Sequence, residues 1–134
     1  MVQQETANFN QQLRDRTLTL SVNIHNLHAA KKVPPTSRSS INQLFRSSSS
    51  VAANYRSATR ARSDAEFYSK ICIVLEECDE MQFWVDFLIR VNILSASESH
   101  TVRDEIDQLL RIFSTMRKKL QLKRDVGISE KGNG

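Results

Sequence analysis

Arginine and lysine are the residues of this chain whose number and spacing could do chemistry, and that chemistry is phosphate recognition. Residues 31–62 hold seven Lys or Arg and no acid, among them Arg38, Arg46, Arg56, Arg60 and Arg62. A guanidinium is planar, always charged, and forked to grip a phosphate through two N–H bonds. Plotted at about 100° per residue from Ile41, Arg38, Arg46, Arg56 and Arg60 fall together, between about 60° and 140°. A second basic segment, residues 111–124, has six Lys or Arg and no acid, and includes Lys118, Lys119, Lys123 and Arg124. Between them, residues 76–107 carry nine acids against Arg90 and Arg103. Segregation of this kind suits either a polyanion partner or complementary docking between subunits. No aromatic is interleaved with the arginines, so binding is expected to be to RNA or DNA backbone, salt-sensitive and weakly sequence-specific. The competing use of Arg56 and Arg60 is pairing with Glu76, Glu77 or Glu80.

Other chemistry finds less support. His25 and His28 stand three apart, and Glu76, Glu77 and Glu80 cluster elsewhere, but the chain has no Glu-x-x-His pair of the di-iron type. Both histidines are expected to lean away from the apolar stripe of their helix. There is no Gly-rich phosphate loop and no nucleophile motif. The run Ser47–Ser50 reads as close helix packing, and Cys78 as core. Neither enzyme, metal nor cofactor is therefore expected. Cys72 and Cys78 would point about 240° apart on a helix and cannot bridge. No apolar run reaches the ~18 residues of a membrane span, and the first residues lack a secretory pattern. A cytoplasmic protein is the simplest reading.

The elements that must carry these side chains follow from periodicity. The 134 residues include only three Gly and two Pro, which leaves little room for a turn-rich β protein. Phe9, Leu13, Thr17, Leu20, Ile24 and Leu27 predict a helix over 9–32, with Asn8 as its N-cap. Pro34-Pro35 ends it. Thr36 or Ser37 caps a second helix over 36–59. Its packing face is Leu44, Phe45, Ser48, Val51, Ala52 and Tyr55, with small Ser48 and Ala52 allowing close approach. Ser63-Asp-Ala-Glu66 reads as a capping box for a third helix over 64–94. Its stripe is Phe67, Ile71, Val74, Cys78, Met81, Val85 and Ile89. Ser97 caps a fourth helix over 98–122, with Val102, Ile106, Leu109, Phe113, Met116 and Leu120 inward. Residues 1–8 and 125–134 read as flexible ends around a domain of residues 9–124. The fold class is all-α, an antiparallel up-down four-helix bundle.

The third helix carries a second apolar set, Ile73, Phe83, Trp84, Phe87, Val91 and Leu94, opposite its first stripe. It serves either a wide core contact or, the preferred reading, a subunit interface built on Ile73, Phe83, Trp84, Phe87 and Val91.

Ser50-Val-Ala-Ala-Asn-Tyr-Arg56, Arg60-Ala-Arg-Ser63, Glu66-Phe67, Leu75-Glu-Glu-Cys-Asp-Glu80 and Trp84 together resemble the bacterial four helix bundle, or 23S rRNA intervening-sequence, protein family. The likeness extends over about residues 13–122. Ala52-Ala-Asn-Tyr55 stands where that family has Ala-Glu-Gly, so no role of that Glu or Gly carries over. The resemblance implies a ring-like homo-oligomer, a pentamer, with no established catalytic residues. It also points to a related branch, the basic accessory protein of diversity-generating retroelements, whose partners are nucleic acid and a reverse transcriptase.

Overall fold

Among the described residues four helices make up the fold: α1 Val2–Ala29, α2 Pro35–Ala58, α3 Asp64–Arg90 and α4 Ala96–Gly132. The computed structural model describes residues 2–29 and 31–132, with side chains over 3–29 and 31–127, and no strand occurs among them. Cross-contacts fix the directions. Ser48 Oγ donates to Ser21 Oγ at 3.2 Å and Arg14 Nη1 to Thr59 Oγ1 at 2.9 Å, so α1 and α2 run antiparallel. Arg46 meets Glu77 and Glu80, and Gln82 Nε2 meets Asp107 Oδ1 at 2.7 Å, which sets α3 against α2 and α4 in the same sense. The expected up-down bundle is therefore the fold. α2 packs intimately on α1 and α3, while α1 and α4 meet along a thinner seam, bridged by the ion pairs of Arg16 with Glu105 and Lys31 with Glu98.

Most of the core comes from the anticipated stripes, though Leu75 and Leu88 of α3 join it and Phe45, expected on the packing face of α2, is exposed. Leu13, Leu20 and Ile24 of α1, Leu44, Val51 and Tyr55 of α2, Ile71, Val74, Cys78, Met81 and Val85 of α3, and Val102, Ile106, Leu109 and Phe113 of α4 are all buried. Tyr55 reaches across it. Its ring lies 5.4 Å from that of Phe113, and its hydroxyl donates to Asn10 Oδ1 at 3.1 Å. Burial pushes the Tyr55 phenol up to about 12, so it stays a neutral donor. Ser48 is buried against Ser21, which bears out the close approach expected there.

The helix ends differ from expectation in instructive ways. α1 begins at Val2, well before Phe9, and Asn8 lies inside it; no Gly or Pro interrupts residues 2–8, and a helix once nucleated extends cheaply. Phe9 is not core but lies at the α1–α4 seam. α4 likewise continues past Leu122 to Gly132. Of the two expected flexible ends, Met1, Asn133 and Gly134 lie outside the described residues. α2 takes Pro34 as N-cap, with Pro35 in the first turn, instead of Thr36 or Ser37, since fixed proline φ suits that position.

α3 stops at Arg90, short of Leu94. Asn92 adopts φ 62°, its amide bonds Ile89 O, and the Ile93 amide bonds Leu88 O at 2.9 Å. This is a Schellman ending with Asn in the left-handed position. It turns Leu94 into the core and away from the second apolar face. Ser95, not Ser97, caps α4: Glu98 N donates to Ser95 Oγ, and Ser95 N to Glu98 Oε1, a reciprocal capping box. Ser63 caps α3 as expected, accepting from Glu66 N at 3.1 Å, while Glu66 reaches back to the amide of Arg62.

Candidate nucleic-acid interface

The last turn of α2 and the turn after it carry Arg56, Arg60 and Arg62. Thr59 and Arg60 continue the helical bonding loosely, through Thr59 N to Tyr55 O and Arg60 N to Ser57 O, before the chain opens to the Ser63 cap. Arg56 and Arg60 thereby line a groove of about 520 Å³ between α1 and α2. Small Ser49, Ala52 and Ala53 form its α2 side, and Arg14, Asp15 and Leu18 its α1 side. Arg14 is held by Gln11 Oε1 at 2.6 Å as well as by Thr59, and Gln11 in turn donates to Asp15. Three guanidinium groups thus border one groove with one carboxylate. No ion pair engages Arg38, Arg56, Arg60 or Arg62 among the described residues.

Arg46 is different. It lies between Glu80, at 2.7 Å, and Glu77, at 3.5 Å, and ties α2 to α3. The hydrogen bond to Glu80, with the charge of Glu77, raises its pKa still further. Burial lifts the Glu77 carboxyl, whereas at Glu80 the bonds from Arg46 and Trp84 overcome a similar push and lower it. Of the acids expected to compete for Arg56 and Arg60, Glu77 and Glu80 are instead engaged by Arg46. Arg38 lies at the far end of α2, about 27 Å from Arg56 along the axis, in a recess with Lys31 and Lys32.

Lys118 and Lys119 are exposed on α4, diagonally across the bundle from α2. Lys119 borders the α1–α4 seam beside Phe9, Arg111 and Met116. The antiparallel order brings this segment to the same end of the bundle as Arg56, Arg60 and Arg62. Lys123 Nζ meets Asp64 Oδ2 at 3.0 Å, and Arg124 sits 4.4 Å over the ring of Tyr68. Sequence reasoning missed Arg14, one of whose two partners, Thr59, lies just past the end of α2, and missed this arginine–tyrosine stack. Tyr68 and Arg124 are far apart in the chain, and the signal lay in the topology rather than in local spacing.

The second apolar face of α3 is a ring cluster. Phe83 and Trp84 are 4.8 Å apart edge to face, Trp84 and Phe87 5.6 Å, and Phe83 and Phe87 6.3 Å. Trp84 is half-buried against the core, but Phe83 is 56% exposed and Phe87 38%. Val91 is exposed at the end of this face, and Ile73 is half-buried toward its start. One of the two histidines departs from expectation. His25 stays outside with its ring against Phe45, but His28 turns inward, because it follows Ile24 by one helical turn. Cys78 is buried, as expected, and burial pushes its thiol up to about 12. Among the described residues no three His, Cys, Asp or Glu side chains gather as a metal site, and no helix is long and apolar enough to cross a membrane.

The sequence model of a family described as 23S rRNA-intervening sequence protein matches residues 9–115. Among solved structures, the chain resembles a protein of unknown function from the S23 ribosomal protein family of Bacteroides thetaiotaomicron VPI-5482. The two are 26% identical with a TM-score of 0.68, over 79% of this chain and 98% of that one. No curated protein matches the sequence.

Proposed function

The chain belongs to the 23S rRNA-intervening sequence protein family, and we propose that it is a non-enzymatic homo-oligomer, a pentamer, that binds the backbone of RNA or DNA in the cytoplasm. The observation that carries this reading is the α1–α2 groove, where Arg14, Arg56 and Arg60 border an open surface and no acid pairs with Arg56 or Arg60 among the described residues. Carboxylates are plentiful in the chain, yet those nearest the middle of α2 are engaged by Arg46. Arg62, at the same end, extends the basic surface, and Lys118 and Lys119 extend it across the seam with α1. Arg46 contributes least, because its charge is neutralised within the bundle. Repetition of the groove in each subunit turns weak phosphate contacts into avid ones. The interface that repeats it is the face of Phe83, Trp84, Phe87, Val91 and Ile73, since stacked aromatics left in water favour association.

Fluorescence anisotropy with a labelled single-stranded RNA tests the binding. Saturable binding by the wild type that weakens for every RNA sequence alike in an Arg56→Gln, Arg60→Gln variant is the expected result. Binding that this variant leaves intact would refute the groove as the site.

A further inference from the structure

Beyond the arginine groove, the turn between α1 and α2 holds a second unusual arrangement. His28 is only 9% exposed, and neither of its ring nitrogens has a hydrogen-bond partner among the described residues. Buried polar atoms are rarely left unmet, and those that are call for an explanation. His28 forms the inner wall of a recess of about 580 Å³ whose other polar walls are Lys31, Lys32, Arg38 and Asn42. Among the described residues no carboxylate lines it. The charges of Lys31, after α1, and Glu98, on α4, act on His28, and Lys32 and Arg38 add their charges to the walls of the recess. Glu98 is already taken by Lys31 and by the amide of Ser95, and Lys31 also donates to the carbonyl of Ile93 at 3.2 Å. Setting Lys31 against Glu98 leaves Lys32 and Arg38 as two uncompensated positive charges. The start of α2 adds to them, for it has no side-chain cap and no acid in its first turn.

We propose that this recess binds a phosphate group, with Arg38 and Lys32 holding its oxygens and His28 donating an N–H from the inner wall. Two surplus cations match a phosphate better than a singly charged carboxylate, and the guanidinium fork supplies two parallel donors. The terminal torsion of a histidine ring is soft, which lets one nitrogen meet a ligand oxygen. Burial, helped by the charge of Lys31 and opposed by that of Glu98, holds the imidazole below its usual pKa. A bound phosphate reverses that balance and favours the imidazolium. The site lies about 27 Å along α2 from Arg56 and stands or falls independently of the groove there.

Proton NMR of the histidine ring signals measures it directly, in inorganic phosphate and in chloride at matched ionic strength. The His28 pKa should rise by about one pH unit when phosphate saturates, which corresponds to about tenfold tighter binding to the protonated form. Arg38→Gln and Lys32→Gln, both at exposed side chains, should weaken phosphate binding and shrink the rise, and His28→Gln should remove its pH dependence. A single-stranded RNA without terminal phosphates distinguishes the source. If it moves the His28 signal as inorganic phosphate does, the ligand is a backbone phosphate; if only inorganic phosphate does so, the ligand is free. Identical titration of His28 in phosphate and in chloride, or unchanged phosphate binding by Arg38→Gln, would overturn the proposal. The two exposed variants keep it refutable should His28→Gln fail to fold.

Discussion

The Arg56→Gln, Arg60→Gln variant makes the arginine groove quantitative. Three guanidinium groups border it, and each phosphate neutralised on a single strand contributes about −0.7 to the slope of log affinity against log salt. The wild-type groove should then give a slope of about −2.1, and the double variant, left with Arg14, about −0.7. Raising monovalent salt from about 50 to 200 mM should weaken wild-type binding about 18-fold and the variant only about 2.6-fold. In an oligomer both slopes scale with the number of grooves engaged, so the ratio, about one third, is the firmer expectation. Anisotropy at four salt concentrations on one labelled RNA gives both slopes. Arg46→Gln is the control. Its guanidinium is paired to Glu77 and Glu80 at the surface, so it should cost at most about 1 kcal/mol of stability and leave the slope unchanged. A double variant whose slope matches the wild type, or an Arg46 variant that flattens the slope instead, would refute the assignment of free and paired arginines.

Trp84→Glu combined with Phe87→Glu should reduce the particle to a monomer by light scattering while leaving its helical circular dichroism intact; unchanged assembly would exclude this face. Because His28 has a folded pKa below its unfolded value, the unfolded chain binds the extra proton as pH falls through about 6.5. Stability is therefore full above that pH and declines below it, and His28→Gln should flatten denaturant midpoints measured between about pH 7 and pH 5. Asn92→Ala should cost about 1–2 kcal/mol in chemical unfolding, since a Cβ-bearing residue without a polar side chain is poorly suited to φ 62°. Cys78, buried and with its thiol pushed up to about 12, should resist a thiol reagent until the protein unfolds, whereas early labelling would mean that the α3 core opens locally.

Most of the bundle was legible because the periodic signal is redundant. Each helix repeats its apolar stripe over about three turns or more, and an error at one residue does not move the face. Ends are not redundant. The stop at Arg90 depends on Asn92 entering the left-handed region, a backbone event that Asn permits but does not demand. The choice of Ser95 over Ser97 depends on which serine finds a glutamate three residues on, and Ser95 with Glu98 does. That signal was present in the sequence and was outweighed by the longer apolar run assigned to α3. His28 was misjudged for a related reason: near a helix end the stripe followed His28 rather than Leu27, which is only half-buried.

The pairing of the arginines was also within reach of the sequence, by way of register. The turn at residues 59–63 makes α2 and α3 an antiparallel hairpin, so residues that face each other have nearly constant summed numbers. Arg46 opposite Glu77 fixes that sum. The same sum sets Arg56 opposite the first turns of α3, near Phe67, about 15 Å along the axis from the level of Arg46. The acids there are occupied otherwise: Glu66 reaches back to the Arg62 amide, and Asp64 meets Lys123. Glu77 and Glu80 are thus too far away to reach Arg56 or Arg60, whatever the helical wheel implies about a shared face. A wheel records angle and discards axial position, and it is axial position that separates an arginine used to hold the bundle from one left to meet a ligand.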